Sequence, residues 1–467
     1  MYRIVRAVCR AAAGIAAAAV AAAWLAAAPA VAADAPTSDR AALDAKKTAL
    51  FQQMLADPAN LDIAFAYADL SAQLGDNEAA VSTLERMLLF NPNLPRVELE
   101  LGALYFRMGS LALARSYFDQ ARAASPPPEV QARVDEYLGK ITAAESPHQL
   151  TGYFFSGVQY QTDANVAPGS PLIQSPIGDV LLSSEFVKGR DYDIFATGQI
   201  YYSYDLGTQN RDTLEVGTTA YVNHYFRFGR LDLDLAEITA GPRLRYPDLG
   251  VPQVETVSVK PYAILNEVGL GENQYFDTYG AGLETTALLF GDVAARLVFE
   301  FRQKNFTDAP DRPVSRGLNG NDTVVTLALN KPVTANSALS LEFDYLDQQT
   351  RLDFYTNRSY GIAGGYRVHY GDPTGLSAYS WETTLFVSQL WSYYAAPDPC
   401  CNTSGNPLVF SGSSRFDRHL RFGVSHAFQI TANAAIVAQL QRDIISSNLP
   451  LYDYSNDSVL IGPQIRF

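Results

Sequence analysis

From residue 150 onward the chain alternates. Strict alternation dictates extended strands, because successive side chains on extended backbone point to opposite faces. Between Tyr192 and Tyr204 the even positions are Tyr192, Ile194, Ala196, Gly198, Ile200, Tyr202 and Tyr204, while the odd ones include Asp193, Thr197, Gln199 and Ser203. Val293, Ala295, Leu297, Phe299 and Phe301 alternate with Arg296, Glu300 and Arg302, and Leu339, Leu341, Phe343 and Tyr345 with Ser340, Glu342 and Asp344. Alternation alone leaves open which face is wet. At the C-terminus Val459, Ile461, Pro463, Ile465 and Phe467 share one face, Gln464 and Arg466 occupy the other, and the chain stops on the aromatic.

An alternating last strand that ends on Ile465 and Phe467 looks like the assembly signal of outer-membrane barrels, so the expected partners are the barrel assembly machinery and the outer-membrane lipid bilayer of a Gram-negative cell. Strands are expected near 151–161, 191–204, 212–223, 230–242, 253–266, 272–289, 292–304, 320–331, 336–348, 354–370, 377–395, 415–428, 433–446 and 455–467. These make about fourteen antiparallel transmembrane strands, an even number that keeps both ends of the barrel on one side of the membrane. The longest gaps, 162–190, 305–319 and 396–414, follow strands one, seven and eleven and so fall on the opposite side. The gap 243–252 fits this scheme least well. Helical spans are excluded in the mature chain, since no run of 18 apolar residues exists beyond the first thirty positions.

The N-terminal part is built differently: 11 of the 54 aromatic residues fall in residues 1–149. Residues 1–33 have the form of an export signal, with Arg3, Arg6 and Arg10 ahead of the Ala-rich stretch 11–28 and small residues for cleavage at 30–33. Its removal takes the formal charge from −14 to −17, and no cluster of Lys and Arg offers a phosphate-binding surface, so nucleic acid is excluded as a partner. Residues 34–145 carry a period of 34. Asp57-Pro58, Asn91-Pro92 and Ser125-Pro126 recur at that step, as do Gly75 and Gly109, Leu70 and Leu104, and Ala80 and Ala114. This is the tetratricopeptide period. Small residues such as Ala80 and Ala114 let paired helices approach, Gly75 and Gly109 end one helix, and Pro92 and Pro126 stop the other. Helices are expected at Asn60–Leu74, Asn77–Phe90, Val97–Met108 and Leu111–Ala124, led by Arg40–Leu55 and capped by Glu129–Ile141. The fold expected is thus multidomain α + β: a periplasmic helical repeat domain over 34–145 and an outer-membrane barrel over 150–467.

Parity places Asp193, Arg296, Glu300, Arg302, Glu342, Asp344, Arg415, Asp417, His419, Arg421 and Arg466 toward the lumen. Their mixed signs oppose a pore tuned to one ionic charge, and they suit either a salt-bridged hydrated interior or a translocation path. No catalytic set is legible: Ser425 and His426 are adjacent and so face opposite ways on a strand, and no Gly-x-Ser-x-Gly or His-Glu-x-x-His motif occurs. Cys400-Cys401 lie in an outward loop, where they stiffen it locally or form a redox-sensitive or metal-binding thiol pair. Asp163 and Asn165 satisfy backbone groups at a strand exit rather than holding Ca²⁺. No metal or cofactor is expected.

An export signal, a short repeat domain and a C-terminal barrel, with the segment Gly157-Val158-Gln159-Tyr160-Gln161-Thr162-Asp163-Ala164-Asn165-Val166, resemble the surface lipoprotein assembly modifier family, whose barrels open on a similar Tyr…Asp-x-Asn-Val pattern. The resemblance implies translocation or display of surface lipoproteins or secreted proteins, with the repeats engaging cargo or periplasmic machinery. The repeat domain here is small for that family. Exopolysaccharide exporters also join such repeats to a barrel, usually with longer arrays and about sixteen strands, and a passive channel is the third reading.

Overall fold

The computed structural model describes residues 37–467 apart from 93, 169–171, 174–179, 182–186, 248–249, 252–253, 376 and 398–413. The export signal and Cys400-Cys401 lie outside the described residues. The described chain divides into two compact units that meet in sequence near residue 147.

The first unit is six helices: α1 (Thr37–Ala56), α2 (Leu61–Gln73), α3 (Asn77–Phe90), α4 (Pro95–Arg107), α5 (Leu111–Ala123) and α6 (Pro128–Glu145). Local chemistry sets their ends. Asn60 and Asp76 accept the Ile63 and Ala79 amides as N-caps, while Gly75 and Gly109 take φ of +82° and +76°, which a side chain would strain. Helix α4 starts at Pro95, two residues before the expected Val97, because proline suits a first helical position. Ala80, Ala114 and Phe118 are fully buried, and the Phe118 ring lies against Gly102, where a Cβ would overlap it. Of the remaining repeat positions, Pro92 is exposed and Pro126 buried. Lys47 pairs with Asp76, whose carboxyl is held below its usual range chiefly by that hydrogen bond. Burial and the Glu85 carboxylate, which accepts from both Tyr105 (2.7 Å) and Tyr117 (3.2 Å), push the Tyr105 hydroxyl up to about 12.

The second unit is a closed antiparallel barrel of fourteen strands: β1 (His148–Gln161), β2 (Asp191–Asp205), β3 (Thr213–Tyr225), β4 (Leu233–Tyr246), β5 (Val254–Leu270), β6 (Asn273–Leu289), β7 (Val293–Phe306), β8 (Gly320–Thr334), β9 (Ser337–Thr350), β10 (Asn357–Tyr370), β11 (Trp381–Pro397), β12 (Ser414–Gln429), β13 (Ala434–Ser447) and β14 (Tyr454–Arg466). Each strand pairs with its sequence neighbours, and β1 closes on β14 with Tyr153 opposite Arg466 and Gln161 opposite Ser458. Past that ladder, Phe467 donates its amide to Gly152 O (3.0 Å) and accepts the Gly152 amide (2.9 Å). The rim where β1 begins is called the near rim, and the opposite one the far rim.

Several strand boundaries differ from those expected: β1 starts at His148 rather than 151, β5 runs to Leu270 rather than 266, β8 runs to Thr334 rather than 331, and β10 starts at Asn357 rather than 354. Strand β4 runs on to Tyr246, past Pro242, because Pro242 and Pro261 fall where the β4–β5 ladder is interrupted and the Arg245 amide is taken by Asp212 (2.7 Å). Gly241 permits this close approach, since a Cβ there would overlap Pro261 O. Strand β11 starts at Trp381 rather than 377, because the Asp372 carboxylate accepts the Thr374 and Ser377 amides (both 2.7 Å) and holds that stretch in a turn.

At the far rim the inward side departs from polarity. Leu233, Val268, Leu270, Tyr275, Phe276 and Phe306 form an apolar cluster with Leu318 and Tyr355. The β7–β8 connection folds onto it: Arg312 is fully buried, donates Nη2 to Leu270 O (2.8 Å) and lies 5.4 Å from the Tyr275 ring centre.

Candidate functional site

In a sheet that closes on itself, outside and inside are separate environments, and the parity of each strand assigns its side chains to them. Leu297, Phe299 and Phe301 on β7, Leu339 and Phe343 on β9, and Val459, Ile461, Ile465 and Phe467 at the end of the chain are exposed large apolar groups. Aromatic pairs border this apolar wall. Tyr160–Tyr192 (4.8 Å) and Tyr393–Phe416 (4.7 Å) lie toward the far rim, and Trp381–Phe428 (5.0 Å) and His148–Tyr204 (5.0 Å) toward the near rim. Along β2 the outward row from Tyr192 to Tyr202 spans about 25 Å of height at roughly 3.3 Å per residue and a tilt of about 40°. That is the height of an apolar bilayer band.

Inward direction is fixed by contacts that skip strands. Arg302 Nη1 on β7 reaches Glu237 Oε2 on β4 at 3.0 Å, passing β5 and β6, which only side chains inside the barrel can do. Arg302 Nε also donates to Glu300 Oε2 (2.8 Å), and Tyr262 OH on β5 donates to Glu300 Oε1 (2.7 Å). Beside this group, Arg243 donates to Glu215 (2.8 Å) and Glu284 (2.6 Å), Lys260 lies 3.1 Å from Glu215, and Arg296 lies 3.5 Å from Glu284. Of the residues assigned to the lumen from sequence, the structure thus gathers Arg296, Glu300 and Arg302 into one lattice over β3–β7.

A second group forms across β12 and β13. His419 Nε2 and Arg421 Nε both meet Asp443 Oδ1 at 2.7 Å, and Arg415 Nε donates to Asp417 Oδ1 at 3.0 Å. The others stand apart from both groups. Asp193 is buried beside β1, accepting from Gln161 (2.9 Å); Asp344 accepts from Thr326 (2.7 Å); Glu342 precedes it on the same face of β9; and Arg466 donates to Gln464 (3.3 Å). Glu215, Glu237, Lys260, Glu284, Arg243 and Asp443 were not singled out from sequence, although the same parity on β3–β6 and β13 marks them.

Ser425 is buried on the inward row and His426 sits on the other face against Trp381, so they do not meet. Among the described residues no group of three or more His, Cys, Asp or Glu is arranged to hold a metal, and no helix is long and apolar enough to cross a membrane. Asp163 is fully buried at the end of β1. Its Oδ1 accepts the Ala167 amide (3.1 Å), its own amide goes to Asn456 (2.9 Å), and burial pushes its carboxyl up to about 7.

The helical unit has a site of its own. A groove of about 250 Å³ runs along α2, α4 and α6. Its floor is Ala68, Ala72, Ala103 and Leu104, Phe65 and Tyr137 supply aromatic faces, and Asp69, Glu100, Arg107 and Arg133 supply charge. Glu100 and Arg133 pair at 3.5 Å across it. Apolar, aromatic and charged side chains thus line one groove.

These features define a helical-repeat unit joined to a fourteen-stranded barrel with an apolar outer wall and an ionic interior. No family model matches the chain, and no curated protein matches it. Solved structures are similar to one part or the other. The helical part is similar to PcrH in complex with the chaperone binding region of PopD (21% identity, 23% of this chain and 85% of that one, TM-score 0.22). It is also similar to the Yersinia enterocolitica chaperone SycD with a peptide of the translocator YopD (15%, 23% and 86%, TM-score 0.22). Acinetobacter baumannii OccAB4 covers 68% of this chain and 98% of its own at 9% identity and a TM-score of 0.31. At these values the likenesses bear on neither ligand nor mechanism.

Proposed function

We propose that this chain is an outer-membrane transport barrel that moves or displays a protein cargo, with the helical unit in the periplasm grasping an extended segment of that cargo. The observation that carries the reading is the inversion of the barrel: apolar rows between two aromatic borders outside, and charged rows that meet one another inside. Only a wall facing lipid and a lumen facing water make both rows favourable at once. The groove along α2, α4 and α6 supports a protein cargo, because Ala68, Ala72 and Ala103 leave room for a backbone between the charged groups of Asp69, Glu100, Arg107 and Arg133.

The test is surface proteomics on intact cells, wild type against a strain lacking the gene, with extracellular polysaccharide measured on the same cultures. Loss of one or two surface proteins with polysaccharide unchanged supports the reading and identifies the cargo. Loss of polysaccharide with the protein profile intact rejects it in favour of an exporter, and no change in either leaves a passive channel. Ala72→Trp, which fills the groove, reproduces the protein loss in a barrel that still assembles.

A further inference from the structure

The strands carry arginine on both faces, but among the described residues every outward-facing strand arginine falls in one sector: Arg358 on β10, Arg418 on β12 and Arg442 on β13, all exposed. The ladder fixes their surroundings. Arg358 lies opposite Tyr393, which lies opposite Phe416, and Tyr360 lies opposite Trp391, which lies opposite Arg418. Arg358 and Arg418 therefore sit within or beside the far-rim aromatic border, the level at which a bilayer changes from acyl chain to headgroup, whereas Arg442 lies opposite Phe422, six residues along β12 from Phe416.

Their partners differ. Arg358 lies 3.3 Å from Asp347 and Arg442 lies 3.1 Å from Asp457, whereas the Arg418 side chain makes no ion pair or hydrogen bond among the described residues. A guanidinium facing lipid loses water, and a phosphate oxygen replaces that water with a charge-assisted, forked hydrogen bond. Strand spacing puts Arg358 and Arg418 about 10 Å apart across the sheet, so two long side chains close on one headgroup from either side of Trp391. The opposite sector gives the contrast. Outward near the same rim stand Asp234, Glu267 and Asp277, and Glu267 is directly opposite Asp277 in the ladder, a like-charge pair that repels an anionic headgroup.

We propose that the outer face of β10–β12 is a binding site for a lipid with a net anionic phosphate headgroup, held by Arg418 together with Arg358. The inference rests on the membrane reading of the barrel. In the experiment, full-length protein in zwitterionic detergent is titrated separately with phosphatidic acid, with phosphatidylcholine of the same chains and with inorganic phosphate, and bound molecules are counted by native mass spectrometry. Phosphatidic acid is expected to bind, with affinity falling about fivefold when either Arg358 or Arg418 is changed to glutamine. Arg418→Lys keeps part of the affinity, and Glu267→Gln on the opposite sector leaves it unchanged. Equal binding of phosphatidylcholine, or undiminished binding by the Arg358→Gln, Arg418→Gln double variant, overturns the site. Inorganic phosphate competing as strongly as the lipid overturns the lipid assignment. Heat-modifiable migration verifies that each variant is folded, and flotation with phosphatidylcholine vesicles tests the membrane reading separately: protein that does not float rejects that reading rather than this site.

Discussion

The two units bury opposite kinds of side chain. In the helical unit Phe118, Leu99, Leu101 and Ala114 are enclosed, with Glu98 a buried carboxyl among them; in the barrel Glu215, Asp193 and Arg415 are enclosed while Leu297, Phe299 and Ile461 are exposed. Both follow from one rule, that a periodic row sorts to the medium that solvates it. The rule places the rows, but the medium decides which row is inside. The connectivity differs as well: helices pack on sequence neighbours, whereas the barrel joins residue 153 to residue 466.

The strongest way to break the comparison is in the helical core. Phe118→Ala removes a ring packed on Gly102 and Tyr137 and is expected to destabilise that unit by about 3–5 kcal/mol. Limited proteolysis should then cut within 37–145 while the barrel keeps its heat-modifiable migration; loss of both together would contradict two independent units. Next comes Leu297→Arg, expected to destabilise membrane-inserted protein by about 2–4 kcal/mol if that position lies near the bilayer midplane. Unchanged denaturant midpoints in vesicles would place the β7 outer row in water.

Deleting Phe467 removes two backbone hydrogen bonds to Gly152, worth about 1–3 kcal/mol together. The assembled fraction should fall while export of the chain continues, and a normal yield of heat-modifiable barrel would count against the terminal signal. The smallest effect concerns Asp163. Its carboxyl titrates at about 7 in the folded chain against 3.8 ordinarily, so the folded state binds more protons between those values and the anchorage of this loop weakens as pH rises through that window. Protection of the Ala164 and Ala167 amides, taken relative to the intrinsic exchange rate at each pH, should be lower at pH 8 than at pH 5.5, and Asp163→Asn should remove the difference; equal protection in the unchanged chain would reject the assignment.

Much of this architecture was legible because its signals are local. The 34-residue step fixed Gly75 and Gly109 as helix ends, and strand parity separated Arg296, Glu300 and Arg302 from Leu297 and Phe299. What escaped depended on distant partners. The strand-skipping reach of Arg302 to Glu237 has no sequence signature, and neither does the apolar cluster inside the far rim, where Leu233 and Leu270 break the polar-inward rule because Arg312 and Leu318 cover them. The end of β4 escaped for a similar reason: Pro242 looks like a terminator until Pro261 is placed across from it.

The closure of β1 on β14 also has a consequence in time. The first strand begins at His148 and its final partner is the last of the fourteen strands to be made, so until β14 is delivered the sheet has two open edges, each a row of unpaired amides and carbonyls ready to pair with another chain. The barrel therefore travels as an aggregation hazard and becomes safe in a single closing event. A mutation that slows that event, even one that leaves the finished barrel unaltered, lowers the number of barrels rather than their quality.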